Sequence, residues 1–232
     1  MKELLSNIHI NINDHTYLKD PVTSDLGMRI VTSSIDMIDE IGFESFTFRK
    51  LAKVINSTEA SVYRYFENKH KLLIYLTSWY WGWMEYKLVF GLANISSPWQ
   101  RLKRAIKLLT EEVMEDSSFS HINEVKLNRI VICDSSKVYL TKNVDSENET
   151  GAFYGYTKLV KRVSDVVLEI NKEFRFPNML ISTIIEGAHH QRYFAAHLPK
   201  LTDSLEGEDA ITSFYEKMVI DTLGIKNNQA VS

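Results

Sequence analysis

The stretch Phe46–Leu73 reads FTFRKLAKVINSTEASVYRYFENKHKLL, and its spacing decides the fold. Thr47 is a good helix N-cap, and Phe46 before it can staple onto Leu51. Phe48, Leu51, Ala52 and Ile55 then recur at i, i+3, i+4 and i+7, so one helix face is apolar while Arg49, Lys50 and Lys53 occupy the other. Asn56 tolerates left-handed backbone, and Ser57 or Thr58 can cap a second helix whose Val62 and Phe66 point inward. Glu59, Ala60, Ser61, Tyr63 and Arg64 are left facing out. Lys69, His70 and Lys71 then open another helix. Two short amphipathic helices around a tight turn predict a helix-turn-helix.

Charge agrees with that reading. From Phe46 to Leu72 there are six Lys or Arg against two Glu, inside a chain of 232 residues whose formal net charge is −3. A basic module on an acidic body suits binding to nucleic acid with little nonspecific adhesion. The length fits a small module plus a larger one, and 44% hydrophobic residues supply a sizeable core. Cys133 is the only cysteine, so no intrachain disulfide can form, and no N-terminal apolar signal segment follows a basic start. A cytoplasmic protein is expected. The apolar run from Leu72 to Phe90 is interrupted by Glu85 and Lys87, and its Trp and Tyr residues crowd the middle instead of the ends, which argues for a long buried helix and against a membrane span.

The run from Ile41–Phe43 through Thr47–Ala52 (TFRKLA) to Ser61–Phe66 (SVYRYF), Lys69 and Leu72 resembles the tetracycline-repressor (TetR) family of bacterial regulators. The resemblance implies an all-α protein, with an N-terminal three-helix DNA-binding domain and a C-terminal helical domain for effector binding and dimerisation. It implies that Glu59, Ala60, Ser61, Tyr63 and Arg64 approach base edges in the major groove, while Thr47, Tyr65 and Lys69 grip phosphates. Arginine can read guanine bidentately, and hydroxyls and lysine suit phosphate oxygens. Asn56, Ser57 and Glu59 depart from the family pattern. A carboxylate at Glu59 repels phosphate unless it accepts from a cytosine amino group; its other reading is a helix-dipole partner.

The organisation expected along the chain is an arm over 1–22, the DNA-binding domain over 23–72 and the effector and dimerisation domain over 73–226. Val31, Ile35, Ile38 and Ile41 mark a scaffold helix closed by Gly42. Ser97 and Pro98 open a helix with a stripe of Leu102, Ala105, Ile106, Leu109 and Val113. A further helix is expected from Ser120 to Cys133, a polar loop from Asp134 to Thr150, and a helix from Phe153 to Phe174.

Pro177 starts a helix with the stripe Leu180, Ile184, Gly187, Ala188, Gln191 and Ala195, whose small members invite another helix. The last helix repeats the theme with Ile211, Phe214, Tyr215 and Met218. These faces can complete the protomer's own core, or, as the resemblance implies, form a four-helix bundle with a two-fold copy. The second is the expectation, because a symmetric operator requires two recognition helices about 34 Å apart.

Aromatic density suggests a partly apolar effector pocket, which the resemblance puts in the C-terminal domain. The candidates are Trp79, Trp83, Tyr86, Phe119, Tyr154 and Tyr193, with His121 and His189 for polarity. The partners expected are operator DNA, an apolar or aromatic small molecule and a second copy of the chain, with no cofactor and no resident metal. No nucleophile elbow or phosphate-binding glycine loop is present, so an enzyme is not expected. Two Glu-x-x-His spacings, Glu67 to His70 and Glu186 to His189, keep a helical metalloenzyme as a rival reading, beside a protein-interaction module without operator affinity.

Overall fold

The computed structural model describes residues 10–115 and 122–224. Among these no strand forms, apart from an isolated bridge between Leu205 and Glu208, and the fold is all-α. In chain order the helices are α1 (Asp25–Ser45), α2 (Phe48–Val54), α3 (Glu59–Tyr63), α4 (Lys69–Leu92), α5 (Pro98–Thr110), α6 (Glu124–Asp134), α7 (Ser136–Tyr139), α8 (Val144–Glu149), α9 (Tyr154–Ile170), α10 (Pro177–His197) and α11 (Ala210–Leu223). Among the described residues no helix is long and apolar enough to cross a membrane.

The chain forms two compact units. One contains residues up to Trp83 together with Val113–Tyr156, and the other contains Met84–Glu112 and the chain from Thr157 onward. Helix α4 passes from the first to the second. The units cut across the expected 1–22, 23–72 and 73–226 segments, and ion pairs are among the contacts that join 122–156 to α1. Lys126 and Arg129 on α6 pair with Asp36 and Asp39 on α1, and Lys137 reaches Glu44 at 3.1 Å. Segment 122–156 is thereby fastened to the scaffold helix of the DNA module. The region expected as a loop supplies α7 and α8, and Glu147 of α8 is buried beside His70 at 3.0 Å and Lys71 at 3.4 Å. A buried carboxylate requires such partners.

The expected arm also has structure where it is described. Leu18 N–H donates to the Tyr65 carbonyl at 2.8 Å, and Asn13 Nδ2 donates to the Thr150 carbonyl at 2.7 Å. Tyr17 meets Tyr75 edge-on at 6.0 Å, and a Cβ on Gly82 would lie 2.5 Å from Ile10 Cγ2. Residues 10–22 are therefore a strap across the first unit. Its core is centred on Ile30, Ile35, Phe46, Leu51, Val62, Phe66 and Leu72, all at most 1% exposed.

In the second unit α5 packs against α10 and α11. Ser97 Oγ accepts from Gln100 N–H, Pro98 takes the first turn, and Leu102, Ala105, Ile106 and Leu109 are buried as expected. Glu85 is 8% exposed and is matched by Arg162, whose Nε and Nη2 donate to Oε1 at 2.9 and 2.6 Å. Arg192 donates to the Thr110 carbonyl and to Asp209, tying the end of α5 to the N-cap of α11.

Candidate nucleic-acid interface

The helix-turn-helix is built by local chemistry. Thr47 Oγ1 accepts from Lys50 N–H at 3.2 Å, and Asn56 takes φ 48°, which lets the chain reverse after α2. Thr58 Oγ1 then accepts from Ser61 N–H at 3.2 Å to start α3. Arg29 of α1 donates to the Ile55 carbonyl at 2.9 Å, closing the C-terminal end of α2. Phe48, Leu51, Ala52, Ile55, Val62 and Phe66 are all buried, so the two short helices hold one angle.

This packing turns a defined set of side chains outward. Thr47, Glu59, Ala60, Tyr63 and Arg64 are exposed and Ser61 is half-buried, with Arg49, Lys50 and Lys53 exposed on α2 beside them. The Tyr63 ring stands edge-on to Phe48 at 5.1 Å, which fixes its direction while leaving it 46% exposed. Among the described residues Glu59 has no ion-pair partner. Hydroxyl, guanidinium and ammonium groups on one protruding face suit contact with base edges and phosphates.

Residues 30–76 match the family model of the bacterial regulatory proteins, tetR family. The chain carries a tetR-family helix-turn-helix, a DNA-binding module. Seventeen chains of known structure match the fold. They include AibR in complex with isovaleryl coenzyme A and operator DNA, at 15% identity and TM-score 0.55 over 83% of this chain and 95% of that one. The fatty acid degradation regulator FadR from Bacillus halodurans matches at 16% identity and TM-score 0.55 over 86% and 95%. The superantigen PfiT matches at 12% identity and TM-score 0.57 over 88% and 97%. At such identities the likeness is one of fold. No curated protein matches the chain.

Two residues expected to grip phosphates have other tasks around the tetR-type module. Tyr65 is 3% exposed and its hydroxyl hydrogen-bonds Ser24 Oγ at 2.7 Å, because the ring fills the space between the strap and α1. Lys69 Nζ donates to the carbonyls of Phe43, Glu44 and Phe46 at 3.0, 3.2 and 3.4 Å, satisfying the end of α1 after Gly42, at φ 77°, has broken its helical bonding. In this arrangement both side chains are engaged within the chain and not turned toward a phosphate.

The effector candidates are not brought to one place. Trp79 and Trp83, 3% and 0% exposed, stack on each other at 6.5 Å within the first unit. Trp81 stacks on Tyr156 at 4.2 Å and donates to Tyr139, so these rings are interlocked as core. Tyr154 of the same unit is 66% exposed. Tyr86 lies against Phe90 in the second unit, where Tyr193 is exposed beside His197. His189 is buried, and burial, with the neighbouring His190, pushes its pKa down to about 4. Phe119 and His121 lie outside the described residues. Glu67 is exposed, and among the described residues no group of three or more His, Cys, Asp or Glu side chains is placed to hold a metal ion.

The expected dimer stripe is corrected in part. Leu180, Ile184, Ala188, Ile211 and Tyr215 are buried inside their own protomer, Gln191 and Met218 are half-buried, and Ala195 and Phe214 are exposed. The small residue that admits a close helix is Gly187, where a Cβ would stand 2.3 Å from the Tyr215 hydroxyl of the same chain. The outward face instead carries Met179, Tyr193 and Phe214, the last beside a groove of about 610 Å3 lined also by Leu201, Leu205 and Lys217.

Proposed function

We propose that this chain is a homodimeric, ligand-responsive transcriptional regulator, a repressor that leaves a palindromic operator when a small molecule binds its second unit. The observation that carries the reading is the tetR-type helix-turn-helix with Tyr63 and Arg64 exposed on a rigidly capped α3. Arg64 and Tyr63 read base edges, Ser61, Ala60 and Glu59 shape the surface against the groove, and Thr47 with Lys53 meets the backbone. Two-fold pairing through the outward faces of α10 and α11, with Phe214 and Met179 as apolar anchors, supplies the second recognition helix.

Release requires only a coupling free energy. If effector and operator prefer different spacings of the recognition helices, about 1–3 kcal/mol of coupling changes operator affinity about 5- to 150-fold. The AibR structure with both isovaleryl coenzyme A and operator DNA supports joint binding on this fold. The chain works by binding, without catalysis, in the cytoplasm where operators reside.

The experiment is selection of bound duplexes from a random pool, followed by titration at several salt concentrations. A palindromic consensus, with affinity falling steeply as salt rises, is expected. Affinity without salt dependence, or no enrichment, favours a protein-interaction module that has lost its operator.

A further inference from the structure

The second unit contains a cleft of about 320 Å3 between α5 and α11. Leu102 and Ile106 of α5 and Val219 and Ile220 of α11 make it mainly apolar, and Trp99 is part of its lining. Its size lies near the lower end of the ~300–1,000 Å3 usual for small-molecule sites. Trp99 is half-buried, unlike Trp79, Trp81 and Trp83, which are buried.

One ion pair lines this cleft, and it is unequal. Lys103 Nζ stands 3.8 Å from Glu216 Oε2, with Lys103 61% exposed and Glu216 23% exposed. That distance is too long for a hydrogen bond, and among the described residues the Glu216 carboxylate accepts none. A partly exposed carboxylate without a hydrogen-bonding partner can still gain from a charged donor at hydrogen-bond distance. Its present partner is the better solvated of the two and sits on a flexible stem, so it can swing away.

We propose that this cleft binds amphipathic amines. The protonated ammonium pairs with Glu216, and an aromatic or branched apolar body lies in the cleft against the Trp99 ring and Ile220, the apolar lining residues that are not fully buried. As a binding site the cleft stands alone; as an effector site it rests on the regulator reading above.

The test titrates the full chain with 2-phenylethylamine, followed by tryptophan fluorescence and calorimetry, with 2-phenylethanol and 3-phenylpropanoate as neutral and anionic counterparts. The amine is expected to bind best, with a saturable signal that disappears in Trp99→Phe. Glu216→Gln should weaken it at least about tenfold. Lys103→Gln removes the competing cation and should tighten it, which keeps the test open if Glu216→Gln does not fold. Tighter binding of the carboxylate, a signal that survives Trp99→Phe, or no saturable amine binding overturns the proposal. A parallel DNA titration separates the two readings. Operator binding without an amine response overturns the cleft alone, and an amine response at Trp99 in a chain without DNA affinity overturns the regulator alone.

Discussion

Arg129 grips Asp39 with two hydrogen bonds, Nε to Oδ1 at 2.7 Å and Nη2 to Oδ2 at 2.6 Å, and so joins α6 to α1. The Asp39 hydrogen bonds, the largest influence on Arg129, raise its pKa despite partial burial, so the guanidinium stays charged at any ordinary pH. Arg129 is 53% exposed, so solvent screens the pair and a double-mutant cycle with Asp39→Ala should give at most about 1 kcal/mol. Hydrogen exchange in Glu124–Asp134 should nevertheless rise when Arg129, Lys126 and Lys137 are all replaced by Gln. Unchanged protection there means that apolar packing alone holds α6.

Arg64→Ala and Lys69→Ala should separate reading from folding. The first is expected to cost about 1–3 kcal/mol per half-site on the operator and little on random DNA. The second removes a cation that donates to three carbonyls at the end of α1, so its main effect is on the unfolding temperature, with a loss of about 1–3 kcal/mol. A drop in the salt slope for Lys69→Ala, with stability unchanged, returns Lys69 to the phosphates.

Phe214→Asp and Ala188→Arg should fail differently. Phe214 is 59% exposed, so its charged variant should keep its circular dichroism and sediment as a monomer with weak operator affinity. Ala188 is 1% exposed, and an arginine there forces an unpaired charge into the protomer's own core, so unfolding should precede dissociation. A dimer that survives Phe214→Asp at low micromolar concentration removes this face from the interface.

His189 makes stability depend on acid. Its folded pKa is depressed to about 4 against an ordinary 6.5, so between these values the unfolded chain binds the extra proton. The contribution is full above pH 6.5, shrinks as pH falls, and is lost by about pH 4, for a total of roughly 3 kcal/mol. His189→Gln should flatten the denaturation midpoint across that window. A wild-type midpoint already flat from pH 7 to 4.5 rules the effect out.

The helix-turn-helix was legible because all its signals are short-range. The Thr47 and Thr58 caps, the positive φ of Asn56 and the apolar spacing of Phe48, Leu51, Val62 and Phe66 lie within one stretch. The intrachain tasks of Tyr65 and Lys69 were not legible because their partners, Ser24 and the end of α1, are tertiary. Periodicity marked Leu180, Ile184 and Ala188 as an apolar face, but it carries no label for whether the cover comes from the same chain or a copy. The segment 134–150 looked like a loop because α7 and α8 are too short to show a period, and the burial of Glu147 depends on His70 and Lys71 far upstream. Trp99, in the amine cleft, was only one more aromatic in the sequence, since Glu216 is distant along the chain.

The strap has a consequence for how this protein is made. Asn13 is fastened to Thr150, 137 positions later, and Asp36 and Asp39 wait for Lys126 and Arg129. At a synthesis rate of about 5–20 residues per second, the DNA-reading stretch, complete at Leu73, therefore exists for roughly 4–15 seconds before Thr150, the last of these partners, has been made. A nascent or truncated chain ending near Leu92 has all of Phe46–Leu73 but leaves Asp36, Asp39 and Asn13 without their partners. The contacts that fasten residues 10–22 and the acidic face of α1 are thus complete only once the chain has been made as far as Thr150.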